Sequence, residues 1–356
     1  MEKAEKHNIS LDMIRILAIF MVLSVHAGQY VNENVKQYTG IGAKGVTLFF
    51  ILSGYLAMES YQRISHNGNA IDYYKNRVKR ILPQYYFILI FEYIVNLQLY
   101  HTYGYSYGEI FEPLNGICGL KYLRYFLFLH GVLPSNNYLW WNNGFALWTM
   151  SSFAFFYLIV PLLFRFIRNW KVSLFITIAL LILRQSMVNL TVDIFKLFGA
   201  FNDPYSVALD EPINNICYFM IGITVWHLKD KRAVFGFGAL AAVVAVFSSM
   251  TFYGYEMIFT ALLIFAISFP INQYTPIAMK KVIRQLCSMS FFIYLSHMVF
   301  LPHVAHQIDK FSITGWLKYA LMMIGIFLTC WVFFRIYKLI AYLISLAVKR
   351  VRPRVS

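Results

Sequence analysis

Residues 11–28 read LDMIRILAIFMVLSVHAG, an apolar run that carries three ionisable side chains, Asp12, Arg15 and His26. Arg15 and His26 are eleven residues apart. In an α-helix this spacing is three turns plus about 20°, so both side chains project from one face about 16 Å apart. One alternative is that Arg15 reaches the lipid headgroups and His26 caps the far end. Because ionisable groups inside a bilayer are costly and histidine titrates near neutral pH, we favour a functional site on this helix.

The composition is that of a polytopic membrane protein. Of 356 residues, 59% are hydrophobic and 13% are charged, which excludes a disordered chain and an ordinary soluble domain. The net charge of +15 would suggest nucleic acid in a soluble protein, but here the basic residues cluster in short loops between apolar runs. We therefore expect membrane lipid around the protein and no nucleic-acid partner. The four cysteines lack the paired spacing of a disulfide framework or a metal site.

Hydropathy predicts an all-α fold with about ten transmembrane helices in a single membrane domain, residues 1–356. A cytoplasmic tail is expected from about residue 347. The one long connection, 101–144, contains a short apolar stretch that we expect to be interfacial or re-entrant. The predicted spans are 9–28, 46–62, 82–100, 145–167, 172–191, 210–228, 233–251, 254–271, 286–306 and 316–346.

The positions of Lys and Arg predict the orientation. With a cytoplasmic N-terminus, the even-numbered connections and the C-terminal tail hold most of the basic residues, and the odd-numbered connections hold few. Cytoplasmic loops carry such an excess of positive charge. The sequence therefore predicts that both termini are cytoplasmic and that the protein lies in the cell membrane, meaning the plasma or inner membrane.

A basic run, residues 73–83, precedes the third predicted span. Arg77 and Arg80 are three residues apart and can share a helix face, and Pro83 fits the first turn of a helix. One interpretation is a phosphate clamp, because the planar guanidinium binds phosphate bidentately. The other is a positive anchor on anionic lipid, and composition alone does not separate the two.

Three further patterns are ambiguous when taken singly. Ser53 and Gly54 permit either a break or a tight contact in a membrane helix. Tyr294 and His297 share a helix face and indicate either an interhelical hydrogen bond or a polar tunnel. The aromatic residues of the outer connection suggest either sugar stacking or a membrane-interface belt; they are Tyr100, Tyr103, Tyr105, Tyr107, Tyr138, Trp140 and Trp141.

Together these segments resemble the membrane acyltransferase type 3 family, in its stand-alone form without an outer esterase-like domain. The resemblance runs from the first to the ninth predicted span, and five motifs occur in the family's order. They are Arg15 with His26; Gly45-Val46, Leu48-Phe49-Phe50 and Ser53-Gly54-Tyr55; Arg77, Arg80 and Pro83; Trp148, Phe156-Tyr157 and Pro161; and Tyr294 with His297.

The resemblance implies an enzyme that moves an acyl group, by default acetyl, from cytoplasmic acyl-coenzyme A to a hydroxyl on the outer side. The acceptor would be a cell-surface or lipid-linked glycan. His26 would act as base or acyl carrier. Asp12 and Arg15 would hold the helix and the phosphates of coenzyme A. The remaining residues of the expected donor site are Arg77, Arg80, Ser53, Tyr294 and His297, and no metal is expected.

The sequence departs from the family at one place. Many members carry a glutamate a few residues after the tryptophan that Trp148 matches, and residues 149–157 contain no carboxylate. Glu109, Glu112, Asp210 and Glu211 are outer carboxylates that could substitute, and the sequence does not choose among them.

Two other functions compete with the enzyme. A transporter or flippase of a lipid-linked sugar would use a continuous polar path, for example through Glu92, Arg184 and Glu256. We find no matching interrupted helices of the kind that many transporters show. A non-catalytic receptor or scaffold would leave His26 without a task in the membrane. The oligomeric state stays open, with a homo-oligomer as one option.

Overall fold

The fold is a bundle of α-helices in a computed structural model, which describes residues 8–65, 69–103, 121–130, 144–197, 204–229, 236, 238, 254–269 and 271–351. The described helices are α1 (Ile9–Gly28), α2 (Glu33–Thr39), α3 (Gly45–Ile64), α4 (Ala70–Tyr103), α5 (Lys121–Phe126), α6 (Gly144–Phe166), α7 (Trp170–Leu197), α8 (Pro204–Asp210), α9 (Pro212–Leu228), α10 (Gly254–Ser268), α11 (Ile277–Asp309) and α12 (Gly315–Val351). Short 3₁₀ turns cover Gly40–Lys44 and Ile271–Gln273.

Six helical segments are long and apolar enough to cross a membrane within the residues that are described. They correspond to α1, α2–α3, α6, α7, α11 and α12, so the prediction of a multi-pass, all-α membrane protein is confirmed. The other four predicted spans do not meet these criteria of length and hydropathy within the described residues. Residues 82–100 lie in the long but less apolar α4, 210–228 and 254–271 form the shorter α9 and α10, and nearly all of 233–251 falls outside the described residues. The count of ten spans stays a prediction.

The placement of Pro83 in a first helical turn is wrong. Helix α4 begins at Ala70, so Pro83 lies inside it. The basic residues before Pro83 contain no helix breaker, and the helix extends through them.

The connection 101–144 is described only in part. Helix α5 and the turn after it fold against the bundle, where His130 stacks on Tyr125 with ring centroids 4.1 Å apart. The Nε2 of His130 lies 2.8 Å from the carbonyl oxygen of Leu147. Burial lowers the pKa of His130 to about 4, so this ring is neutral at physiological pH. In this part of the connection Arg124, Tyr125 and His130 are buried, whereas Leu123, Phe126, Leu127 and Leu129 are exposed. Residues 131–143 lie outside the described part.

Helices α1 and α11 form a parallel pair that organises the bundle. Near the start of α1 the backbone N–H of Ile9 donates to Asn272 Oδ1 at 2.8 Å, and Asp12 accepts a hydrogen bond from the thiol of Cys287. Near its end, His26 meets His297. Because residue numbers rise together along both helices, the pair is parallel. On another side of α1, the hydroxyl of Tyr319 in α12 donates to Ser24 Oγ at 2.8 Å.

Helices α3 and α9 cross at two glycines. A methyl group added at Gly54 would overlap the carbonyl oxygen of Phe219, and one added at Gly222 would overlap the carbonyl oxygen of Ile51. The backbones can approach this closely only because neither residue has a side chain. Helix α3 runs unbroken through Ser53 and Gly54. Of the two predictions for this pair, tight packing is therefore the one that the structure shows.

We expect Gly54→Ala to destabilise the protein, because its methyl group meets rigid backbone and forces α3 from α9. Overpacking of this kind typically costs about 1–3 kcal/mol. Gly40→Ala is the control, since no atom lies within 4 Å of a methyl group there. Thermal unfolding in detergent should show a lower midpoint for Gly54→Ala only; equal midpoints for the two variants would contradict the crossing.

Candidate functional site

One end of the α1–α11 pair carries a cluster that we name the Arg15 cluster, consisting of Asp12, Arg15, Cys287 and Arg80. The guanidinium of Arg15 donates to Cys287 Sγ at 2.9 Å and lies 3.8 Å from Asp12 Oδ1. The thiol of Cys287 in turn donates to Asp12 Oδ1 at 3.0 Å. The side chain of Asp12 is 4% exposed and that of Arg15 is 18% exposed. Arg15 is thus anchored by buried partners while part of it remains accessible.

Arginine is in excess over carboxylate at this end. Arg80 of α4 experiences the positive charges of both Arg15 and Arg77. The guanidinium of Arg77 lies 4.6 Å from the ring centroid of Tyr157 and 5.1 Å from that of Tyr73. Cations stack favourably on such aromatic faces. Three arginines with Asp12 as the nearby carboxylate form an environment that favours an anion of more than one charge.

A basic groove lies along the first turns of α11, the helix that also carries Cys287. It has a volume of about 490 Å³ and is lined by Ile277, Lys280, Lys281, Arg284, Gln285 and Ser288. Arg284 and Ser288 flank Cys287 on the same helix. Sequence reasoning used these lysines and arginines only to orient the protein, because their spacing resembles that of any positively charged loop.

The other end of the helix pair carries two histidines, His26 and His297, which we name the histidine pair. Their ring centroids are 5.2 Å apart, with 47° between the planes. His297 is fully buried, with its Nδ1 2.7 Å from the carbonyl oxygen of Tyr294. His26 is only half-buried. The sequence predicted both residues for the site, and the structure brings them together although they are 271 positions apart in the chain, that is, 297 minus 26.

A polar contact lies between the two ends. The hydroxyls of Tyr294 and Thr149 are 2.7 Å apart and buried, and Phe49 packs edge-on against Tyr294 with centroids 5.7 Å apart. Sequence reasoning missed Thr149, although it follows Trp148 in the family motif. A threonine in an apolar helix more often bonds its own backbone, so the sequence held no signal for this pairing.

Cys287 is the second residue that sequence reasoning missed. Its spacing predicted neither a metal site nor a disulfide. The structure instead places its thiol between Arg15 and Asp12. The 272 positions that separate Arg15 from Cys287 explain why no local pattern reveals the contact.

Ser53 lies on α3 and belongs to neither the Arg15 cluster nor the histidine pair. It is half-buried on α3 next to the Gly54 crossing, and among the described residues its side chain has no hydrogen bond to the Arg15 cluster or the histidine pair. Its assignment to the donor site stays a prediction.

The polar residues proposed for a transport path have local partners. Arg184 donates to the carbonyl oxygen of Asn214 at 3.0 Å and stacks on Tyr218. Glu256 pairs with Lys44, with Oε1 and Nζ 3.4 Å apart. Glu92 is buried in α4 and also has an interaction partner. Arg184 thus joins α7 to α9, and Glu256 joins α10 to the 3₁₀ turn Gly40–Lys44.

Comparison with known proteins identifies the family of this chain. The family model described as "Acyltransferase domain" matches residues 8–335. A protein named "Putative acetyltransferase ORF330" from Acidianus two-tailed virus is 30% identical over 124 residues, 35% of this chain and 31% of that protein. "Nodulation protein 10" from Rhizobium leguminosarum bv. viciae is 28% identical over 190 residues, 48% of each chain. No solved structure matches.

The family match spans nearly the whole chain and includes both the Arg15 cluster and the histidine pair. The protein therefore belongs to the membrane acyltransferase type 3 family. The matched region covers about a third and about half of the lengths of the two relatives.

We expect Asp12 and Arg15 to be energetically coupled. Arg15→Gln leaves a buried carboxylate without its cation, whereas the double variant with Asp12→Asn removes both charges. The coupling between such contacting residues is about 0.5–3 kcal/mol. Thermal unfolding of the two single variants and the double variant checks this. Strictly additive losses of stability would show that the contact between Arg15 and Asp12 is not a coupled pair.

Proposed function

We propose that the protein is a membrane O-acyltransferase that moves an acyl group from acyl-coenzyme A to a hydroxyl of a cell-surface or lipid-linked glycan. The observation that carries this proposal is the α1–α11 pair, which holds an arginine cluster at one end and a histidine pair at the other. The arginines that would bind the phosphates and the histidine that would transfer the proton thus lie at opposite ends of the helix pair. A long donor with its phosphates at one end requires this separation.

The Arg15 cluster is the proposed donor site. Arg15, Arg77 and Arg80 supply guanidinium groups that suit the phosphates of coenzyme A, and the basic groove with Lys280, Lys281 and Arg284 adds further positive charge beside them. On the positive-inside argument this end is cytoplasmic, where acyl-coenzyme A is found. The proposed topology accordingly has ten spans in the cell membrane with both termini cytoplasmic.

The distance between the two ends suits an extended donor. Cys287 and His297 are ten residues apart on α11, which is about 15 Å of helix. Arg15 and His26 are about 16 Å apart on α1. The narrow arm of coenzyme A would pass Tyr294 and Thr149 and present its thioester to His26. Acetyl is the proposed acyl group, in line with the name of the viral relative.

His26 is the proposed reacting residue, because its half-buried ring is accessible while that of His297 is buried. In one route His26 takes the proton of the acceptor hydroxyl while the oxygen attacks the thioester carbon. The carbon–sulfur bond then breaks, and the proton passes to the sulfur of coenzyme A. In the other route His26 first carries the acyl group itself.

The acceptor would approach from the outer end of the bundle. Of the four carboxylates considered for that side, Glu109 and Glu112 lie outside the described residues. Glu211 is buried where α9 begins, and Asp210 is half-buried and close enough for its charge to act on Tyr294. Asp210 is therefore the carboxylate that we favour in place of the missing family glutamate.

Binding of coenzyme A and acetyl-coenzyme A to the purified protein tests the donor site. We expect Arg15→Ala to weaken binding about tenfold or more, because a charged hydrogen bond to phosphate is lost. Arg165→Ala is the control, since Arg165 is an exposed arginine at the same predicted membrane face. His26→Ala should bind coenzyme A normally and release none from acetyl-coenzyme A.

Two outcomes would contradict the donor site. A well-folded wild-type protein that binds neither compound would favour the transporter. Equal affinities for wild type and Arg15→Ala would place the phosphates elsewhere.

A further inference from the structure

The histidine pair contains two buried nitrogen atoms that have no hydrogen-bond partner among the described residues. They are Nδ1 of His26 and Nε2 of His297. An unsatisfied polar atom in a buried site costs free energy and calls for a functional explanation. Here the two orphan nitrogens belong to neighbouring rings, so one bond between them would satisfy both.

The backbone fixes the proton of His297. Its Nδ1 lies 2.7 Å from the carbonyl oxygen of Tyr294 and 3.3 Å from that of Ile293. A carbonyl oxygen only accepts hydrogen bonds, so Nδ1 must carry a hydrogen. In the neutral ring Nε2 is then unprotonated and can only accept.

The neighbouring ring is close enough to supply the hydrogen. The two nitrogens are not hydrogen-bonded to each other in this structure, but the centroid separation of 5.2 Å is close to that of two imidazoles joined by one N–H···N bond, so rotation of the half-buried His26 ring would form it. If Nδ1 of His26 donates to Nε2 of His297, then the neutral His26 ring has its lone pair on Nε2.

We propose that His297 is a positioning residue that holds His26 in the Nδ1–H tautomer. The chain of contacts runs from the Tyr294 carbonyl oxygen through His297 to His26. The side chain of Gln29 also hydrogen-bonds to the His26 ring, and the substrate would replace it at Nε2. The same logic holds where a catalytic histidine is oriented by a third group behind it. This inference rests on the proposed function, since the tautomer matters only if His26 reacts.

Both routes proposed for His26 need this tautomer. As a base, Nε2 takes the hydroxyl proton, and the resulting positive charge is shared with His297 through the Nδ1–H bond until the proton leaves with the sulfur. As a nucleophile, Nε2 forms the carbon–nitrogen bond while the carbon–sulfur bond breaks and coenzyme A leaves as the thiolate; the Nδ1 proton can pass to His297 Nε2 and from there to the sulfur. The opposite tautomer would present an N–H to the substrate and could start neither route.

Nitrogen NMR of the purified protein, with only its histidines labelled with ¹⁵N, measures the tautomer directly. The His26 signals are identified by their loss in His26→Ala. We expect Nδ1 of His26 to be protonated in the wild type, and Nε2 to be protonated in His297→Leu, as free histidine prefers. A wild-type His26 protonated on Nε2, or an unchanged tautomer in His297→Leu, would overturn the proposal.

Enzyme kinetics add a readout that a purely structural role would not move. In His297→Leu we expect the rate of coenzyme A release from acetyl-coenzyme A to fall about tenfold or more, with unchanged coenzyme A affinity. His297→Gln places an amide oxygen near the lost nitrogen and should restore part of the rate. His303→Leu, a matched substitution at an exposed histidine of α11, should behave as wild type. A His297→Leu rate equal to that of the wild type would contradict the positioning role.

The two experiments separate this inference from the proposed function. A protein with the predicted tautomer that does not bind coenzyme A would refute the donor and leave the histidine pair intact. A protein that binds and releases coenzyme A with His26 in the other tautomer would refute only the role of His297.

Discussion

The bundle depends on how α1 satisfies its ionisable side chains inside a membrane. A helix with Asp12, Arg15 and His26 among apolar residues is costly unless each group meets a partner. Helix α11 supplies the partners, Cys287 at one end and His297 at the other. The parallel pairing of these two helices therefore fixes how they are aligned in the bundle, and it brings together the residues that we propose for the chemistry.

The other helices hold this pair in position. The close approach of α3 and α9 at Gly54 and Gly222 brings Phe49 and Phe50 of α3 against α11 and α6, and Thr149 of α6 meets Tyr294. Helix α12 closes another side through Tyr319 and Ser24. The polar contacts thus lie between packed helices, where the apolar surroundings strengthen them.

Local sequence predicted part of this arrangement. Helical spacing put Arg15 with His26, and Tyr294 with His297, on common faces, and the glycine at position 54 predicted either a break or a close contact, of which the structure shows the contact. Partners from distant parts of the chain could not be predicted this way. The bonds of Arg15 to Cys287 and of Tyr294 to Thr149 join residues far apart in sequence, and a single sequence carries no periodic signal for such pairs. Pro83 was misplaced because the charged run before it resembles a loop but continues the helix.

The central claim is that one donor molecule spans the distance from the Arg15 cluster to the histidine pair. A structure determined by electron cryomicroscopy with a non-hydrolysable acetyl-coenzyme A analogue tests it most directly. The account predicts phosphates against Arg15 or Arg80 and the acyl carbonyl within hydrogen-bonding reach of His26. An analogue whose phosphates lie at the Arg15 cluster while its acyl group points away from His26 would contradict the account.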